Sequence, residues 1–79
     1  MNIKQLGDNV NLLTTNHGDE ILYSFDVAVA GFSGLVGYFQ STLKYNSETN
    51  RHINTYLRGI ERVLSLTPEQ ISSLFLGEE

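Results

Sequence analysis

The chain has 79 residues, no cysteine and a formal net charge of −4, so it has room for one domain with a thin hydrophobic core that no disulfide reinforces. The acidic balance argues against non-specific binding to nucleic acid, because contacts with phosphates require a basic surface. The longest run without a polar side chain, residues 27–32, falls far short of the ~20 residues that cross a bilayer, and with no signal peptide in view we expect a cytoplasmic protein.

Two turn-rich segments divide the first part of the chain into strands. Residues 2–6 and 10–15 flank a Gly-Asp-Asn turn at residues 7–9, whose residue types tolerate a positive φ angle. A second turn, at residues 15–19, precedes a run over residues 21–29 in which large apolar side chains recur at every second position. This alternation predicts one long strand whose large side chains face the core.

A spaced pair of glycines, Gly31 and Gly34, predicts the next reversal, with Phe32 at its tip. Residues 35–45 then form the second arm of a β-hairpin. Two alternations compete within this arm, so its register stays open unless a bulge near Gly37 reconciles them. An aromatic side chain exposed at a loop tip would indicate a contact surface.

The second half of the chain switches to helical spacing. Apolar side chains recur three or four positions apart across residues 50–64, which predicts one amphipathic helix. Ser47 or Thr49 is the candidate N-cap. Gly59 lies inside this helix and predicts a kink or a close contact, because glycine weakens a helix interior.

A capping box marks the start of a second, shorter helix. Thr67 and Gln70 are three positions apart, so each side chain is placed to bond the backbone amide of the other. Leu66 and Ile71 are placed to pack together across this cap. The helix is expected to cover about residues 68–76 and to be stopped by the glycine that follows.

These elements predict a single α+β domain over residues 1–79. A small antiparallel sheet of hairpins, with three or four strands over about residues 2–45, packs against the amphipathic helix at residues 50–64. The short helix at residues 68–76 closes the structure. No repeat, linker or low-complexity tract divides the chain.

The segment at residues 45–57 joins a strand end, a turn bearing Ser and Thr, and the start of a helix. Its pattern, Tyr-x-Ser-x-Thr-x-x-His-Ile-Asn-x-aromatic-Leu, resembles a group of small proteins of unknown function encoded by bacteriophages and other mobile elements. The positions that carry the resemblance are Tyr45, Ser47, Thr49, His52, Ile53, Asn54, Tyr56 and Leu57. The family more usually has Thr-Ser-Lys before the histidine, where this chain has Thr-Asn-Arg. The resemblance implies a mobile-element origin and a compact fold of strands plus helix, and it implies no catalytic residue.

His52 is the candidate contact residue of this segment. Beside Arg51, its imidazole would serve as a donor, an acceptor or a cation near physiological pH. The alternative, which we favour, is structural. Ser47 and Thr49 then cap the helix while His52 bonds back to the turn. Asn54 faces solvent or the preceding strand.

Three of the five basic residues, Arg51, Arg58 and Arg62, would share one broad face of the predicted helix. Such a stripe would grip phosphates or the carboxylates of a partner. An ordinary solvated face opposite the apolar stripe explains the same spacing, and it is the interpretation that we favour.

The sequence contains no recognisable catalytic or metal-binding arrangement. It lacks a cysteine nucleophile, a nucleophile-elbow motif and paired carboxylates. His17 and Asp19 belong to a polar turn that offers too few ligands for a metal. The spaced glycines precede no helix, so they form no phosphate-binding loop. We therefore predict a protein that is not an enzyme and that uses no cofactor or metal.

The leading functional hypothesis is a phage-type accessory protein that binds a host protein or complex. It would modulate or inhibit a host system such as a defence complex, in the manner of an anti-CRISPR protein. The hypothesis rests on small size, acidity, missing catalytic motifs and the mobile-element resemblance. The alternatives are a nucleic-acid-binding module that uses the three arginines and a protein that sequesters a nucleotide. The thin core also predicts a homodimer, joined through a sheet face, an edge strand or the last helix. No membrane partner is expected.

Overall fold

The structure, a computed structural model, describes residues 2–43 and 45–75. The strands in these residues are β1 (Asn2–Gly7), β2 (Val10–Thr14), β3 (Glu20–Ser24), β4 (Val27–Ser33), β5 (Gly37–Ser41) and β6 (Leu64–Leu66), and the helices are α1 (Ser47–Tyr56) and α2 (Pro68–Phe75). Neither of these helices has the length and apolar character that a membrane crossing requires.

The strands form one mixed sheet in which they follow one another in sequence order. Neighbours from β1 to β5 are antiparallel, whereas β6 lies parallel to β5 because α1 carries the chain back across the sheet. The prediction of an antiparallel sheet of three or four strands on one helix is therefore wrong. The described chain has six strands and is mostly β.

The two helices pack on opposite faces of this sheet. Leu22 lies in a buried cluster with Ile53 of α1, and it is aligned through β4 with Gln40. Phe39 neighbours Gln40 along β5, so strand alternation places it on the opposite face, where it forms a cluster with Ile71 of α2. We call these the α1 face and the α2 face.

The predicted long strand over residues 21–29 is in fact two strands joined by a tight turn. Phe25 and Asp26 both have positive φ angles, 51° and 65°, which is the conformation of a two-residue type I′ hairpin turn. In a loop of two residues Ser24 pairs with Val27, so the odd-numbered side chains change faces across the turn. The period in the sequence nevertheless runs on unbroken, which hides the turn. The predicted core face is only partly correct, because Ile21 and Val29 are buried, whereas Phe25 is 40% exposed. Ser24, which the alternation assigns to the outer face, is buried.

The reversal predicted over residues 31–34 instead occupies residues 34–36. Gly37 opens β5 with a φ angle of 83°, the left-handed conformation that glycine adopts most readily. Phe32 therefore lies within β4 rather than at a loop tip. It is half-buried, and its ring centroid lies 4.9 Å from that of Tyr38.

α1 begins and ends earlier than the sequence predicts. The N-cap is Asn46, and neither Ser47 nor Thr49, since the side chain of Asn46 accepts a hydrogen bond of 2.8 Å from the backbone N–H of Thr49. The helix ends at Tyr56, and Gly59 follows with a φ angle of 82°, as a left-handed glycine after a helix commonly does. Residues 57–63 of the predicted helix form a turn and a loop instead, and its last residue, Leu64, is the first residue of β6.

The start of α2 is confirmed in detail. The backbone N–H of Thr67 donates to the side chain of Gln70 at 2.9 Å, and the backbone N–H of Gln70 donates to the hydroxyl of Thr67 at 3.2 Å. Leu66 and Ile71 share one buried cluster, as predicted for the contact across the cap. The predicted end at residue 76 and the following glycine lie outside the described residues.

Gly31 allows a close approach inside the sheet, and this generates a first prediction. A Cβ atom at Gly31 would overlap the backbone oxygen of Glu20 and lie 2.7 Å from Cζ of the buried Phe39. We expect Gly31→Ala to lower the free energy of unfolding by about 1–3 kcal/mol, because backbone or ring must move. Urea unfolding measures this. Gly34→Ala is the matched control, since its Cβ would meet only Asp19, at 3.8 Å, and equal losses in both variants would contradict the argument.

Candidate functional site

A short chain of side-chain hydrogen bonds joins the first half of α1 to the end of β3. The hydroxyl oxygen of Ser24 lies 3.0 Å from that of Thr49 and 2.8 Å from Nδ1 of His52. Ser24 and Thr49 are both buried, and buried hydroxyls require such partners. These bonds therefore satisfy the hydroxyls and hold α1 on the sheet at the same time.

This arrangement supports the structural interpretation of His52. A serine bonded to a histidine is also the pattern of an activated nucleophile, but Ser24 is only 2% exposed and a substrate cannot reach its oxygen. His52 bonds to β3 rather than to the turn before α1, which is where the sequence placed its partner. Its ring also lies 6.1 Å from that of Phe25, between centroids.

Tyr56 fastens the other end of α1 to the start of β3. Its phenol donates a hydrogen bond of 2.7 Å to the carboxylate of Glu20. Burial, and then this bond to a carboxylate, raise the pKa of Tyr56 well above its ordinary value, because a phenolate would lose hydration and face a like charge. The ring of Tyr56 lies 6.1 Å from that of Tyr38, which extends an aromatic row to Phe32.

Other residues of the 45–57 segment make local hydrogen bonds or face solvent. The phenol of Tyr45 donates to the hydroxyl of Ser41 at 2.8 Å, and the side chain of Asn50 donates to the backbone oxygen of Tyr45 at 3.2 Å. Ser47 is the first residue of α1, and Asn54 is exposed. Exposure of Asn54 agrees with the expectation that it faces solvent.

A cleft of about 460 Å³ lies between α1 and the β1–β2 hairpin. Buried Val10 contributes apolar surface to it, and Asp8, Glu48 and Arg51 contribute charge. The guanidinium of Arg51 lies 3.7 Å from the carboxylate of Glu48. Two carboxylates beside one paired guanidinium do not favour a phosphate group, which requires unopposed cations.

The three arginines do not share a helix face. Arg51 lies on α1, Arg58 lies in the turn after it, and Arg62 lies in the loop before β6. The predicted stripe required one helix through all three, and α1 ends at Tyr56. The geometry of the stripe is therefore wrong, while a role for any single arginine stays a prediction.

The polar turn at residues 15–19 holds two loops together. Asp19 is buried, its carboxylate accepts a hydrogen bond of 2.9 Å from the backbone N–H of Gly34, and its own N–H donates to the hydroxyl of Thr15 at 3.2 Å.

Within residues 2–43 and 45–75, no three His, Asp or Glu side chains converge as metal ligands.

β1 lies at one edge of the sheet with all of its residues exposed. The hydrogen bonds of β2 show in which direction the backbone N–H and C=O groups of β1 point. The backbone N–H of Thr15 donates to the oxygen of Asp19, and that of Phe25 donates to the oxygen of Asn9. Because antiparallel hydrogen bonding alternates along a strand, the odd-numbered residues of β2 bond to β3 and the even-numbered ones bond to β1.

The same alternation identifies the free backbone groups of β1. Lys4 pairs with Leu12, an even-numbered residue, so its N–H and C=O face β2. Ile3 and Gln5 then direct their N–H and C=O groups away from the sheet. These groups form a ready template for another strand.

The α2 face is uncovered beside this edge. Ile3 pairs with Leu13, and Leu13 pairs with Ile21, so all three share that face. Ile3 is 68% exposed, and with Leu13 and Tyr23 it lines a hollow of about 280 Å³. We call Ile3, Leu13 and Tyr23 the apolar strip. Its residues lie outside the part of the sheet that α2 covers.

Sequence reasoning missed this edge and the hydrogen bonds of Ser24. The alternation of Ile3 and Leu13 along the first hairpin was a usable signal, because it places two large apolar side chains on one face. Ser24 carried no comparable signal. Its partners are 25 and 28 residues away, and only the docked helix brings them together.

A family model described as a family of unknown function (DUF8033) matches residues 1–70. The match therefore covers the whole sheet and the first residues of α2. No curated protein and no solved structure matches the chain.

The raised pKa of Tyr56 generates a second prediction. Its phenol is neutral in the folded state, so its contribution to stability is full below the pKa of an unfolded tyrosine, about 10, and falls as the pH rises above that value. We expect the free energy of unfolding of the wild type to exceed that of Tyr56→Phe by about 0.5–3 kcal/mol at neutral pH. This difference should disappear at alkaline pH. Urea unfolding across a pH series measures the difference.

The matched control for Tyr56→Phe is Tyr23→Phe, which deletes a phenol that makes no hydrogen bond in the described part of the chain. We expect the stability of this control to run parallel to that of the wild type. A gap between the wild type and Tyr56→Phe that stays constant above pH ~10 would contradict the assignment of the bond to Glu20.

Proposed function

The chain belongs to the family of unknown function DUF8033, and we propose that it acts by binding another protein, which adds an extended segment to the edge of β1. The observation that carries this proposal is the exposed edge itself, beside the apolar strip. Ile3 and Gln5 direct donors and acceptors outward in one line, as an incoming strand requires. Each resulting hydrogen bond contributes about 0.5–1.5 kcal/mol, and covering Ile3 removes apolar surface from water.

We propose a protein of a host system as the partner, which this chain modulates or inhibits in the host cytoplasm. The support is the resemblance of residues 45–57 to phage and mobile-element proteins, together with small size and acidity. Strand addition suits such a role, because it occupies an extended segment of the partner and withholds that segment from other contacts.

The two alternative functions stay predictions that no described feature favours. A nucleic-acid module would use Arg51, Arg58 and Arg62, which lie on three different elements of the chain. A nucleotide bound in the cleft would place its phosphates near Asp8 and Glu48. Steep weakening of binding with salt would identify a nucleic-acid ligand.

A third prediction tests the edge of β1 directly. Proline at position 5 removes an N–H that faces away from β2, and prolines of this orientation are tolerated on edge strands. We therefore expect Gln5→Pro to keep the fold and to lose the partner in affinity capture from host lysate. Gln5→Ala removes the same side chain but keeps the N–H, so it should retain the partner.

Two measurements decide the outcome of this capture experiment. Hydrogen exchange should slow at the amides of Ile3 and Gln5 when the captured partner is added, because both amides become bonded. Urea unfolding should show that Gln5→Pro is folded. A partner that binds Gln5→Pro as well as the wild type, or that leaves both amides unprotected, would contradict strand addition.

The homodimer stays a prediction, and it generates a fourth measurement. If strand addition is reserved for a different protein, self-association cannot depend on the N–H of Gln5. We therefore expect the wild type and Gln5→Pro to have the same mass by multi-angle light scattering at micromolar concentrations. A mass of twice 8.9 kDa in the wild type that is halved in Gln5→Pro would assign the edge to a second copy.

A further inference from the structure

We infer that the strand received by β1 carries an acidic side chain opposite Lys4 and, next to it, an apolar side chain opposite Ile3. This inference rests on the proposed function, because it specifies the partner of the same edge. It is carried by the position of Lys4, by the face that each β1 side chain occupies, and by the outward groups of Ile3 and Gln5.

The side chains of β1 alternate between two different environments. Lys4 pairs with Leu12, which pairs with the fully buried Leu22, so it extends from the α1 face. Ile3 and Gln5 extend from the α2 face, where Ile3 is part of the apolar strip. Any strand that bonds to this edge must therefore meet a cation on one face, and the apolar side chain of Ile3 next to the polar Gln5 on the other.

Lys4 is an exposed cation without an ion-pair partner in the described part of the chain. It lies between Ile3 and Gln5, the two residues whose backbone groups face outward. A strand that bonds to both residues places one of its own residues directly opposite Lys4, with Cβ atoms about 4.5–5.5 Å apart. Opposite charges at such positions stabilise the pair, and like charges destabilise it.

The same geometry disfavours a second copy of this chain as the occupant. In a symmetric antiparallel pair that uses every outward group, Ile3 and Gln5 of one copy bond to Gln5 and Ile3 of the other. The twofold axis then places Lys4 directly opposite Lys4 of the second copy. Lysine at this position is a device by which edge strands avoid self-pairing, so Lys4 selects a different, acidic strand.

Two short synthetic peptides with capped ends test this inference. Valine alternates with glutamate in one peptide and with lysine in the other, and the amide shifts of Ile3 and Gln5 are followed by NMR during titration. Physiological ionic strength screens the net charge of −4 over distances beyond about 8 Å. We expect the glutamate peptide to bind about three- to tenfold more tightly than the lysine peptide.

Charge reversal supplies the matched variants. Lys4→Glu should invert the preference between the two peptides, whereas Arg62→Glu makes the same change in net charge at a distant loop and should leave it unchanged. Equal binding of both peptides to the wild type, with shifts at Ile3 and Gln5, would overturn the acidic specificity and leave strand addition standing. Shifts at neither amide with either peptide would overturn strand addition as well.

Discussion

Two short helices on opposite faces cannot cover a six-stranded sheet, and the exposed surfaces of this protein follow from that constraint. Strands lie about 4.8 Å apart, so six of them span about 24 Å, whereas a helix with its side chains is about 10 Å wide. α1 packs on β3, and α2 packs over β4 and β6. β1 lies beyond both helices, which is why all of its residues are exposed.

The position of α1 is determined by the two ends of β3. The hydroxyl of Ser24, the last residue of the strand, lies 3.0 Å from that of Thr49 near the start of the helix. The carboxylate of Glu20, the first residue of the strand, accepts a hydrogen bond from Tyr56 at the helix end. Ile53 and Leu22 meet between these bonds in the buried cluster. The helix therefore runs antiparallel to β3 and is held at three points. Thr49, His52 and Tyr56 of the 45–57 segment therefore have a structural role in this arrangement.

The turn between β3 and β4 brings backbone strain next to the cleft. Phe25 has a left-handed φ angle, which is unusual for a bulky side chain and carries a conformational penalty of about 1–3 kcal/mol. Its backbone N–H donates to the oxygen of Asn9 at 2.8 Å, and its ring lies beside that of His52. These contacts hold the turn between β3 and β4 in its strained conformation. The sheet is therefore held firmly under α1, whereas the backbone groups at the edge of β1 are free to bind.

The sequence by itself determined the features that depend on residues a few positions apart. The capping box of Thr67 and Gln70 and the first hairpin turn belong to this group, because their geometry is set by local hydrogen bonds. Tertiary structure decided the rest. β6 has three residues, too few to show a period, and it exists because Phe39 aligns with Leu64 across the sheet. The alternation of β1 and β2 could predict that Ile3 and Leu13 share a face. Exposure of that face was decided by α2, which packs over β4 and β6 and leaves β1 exposed and β2 half-buried.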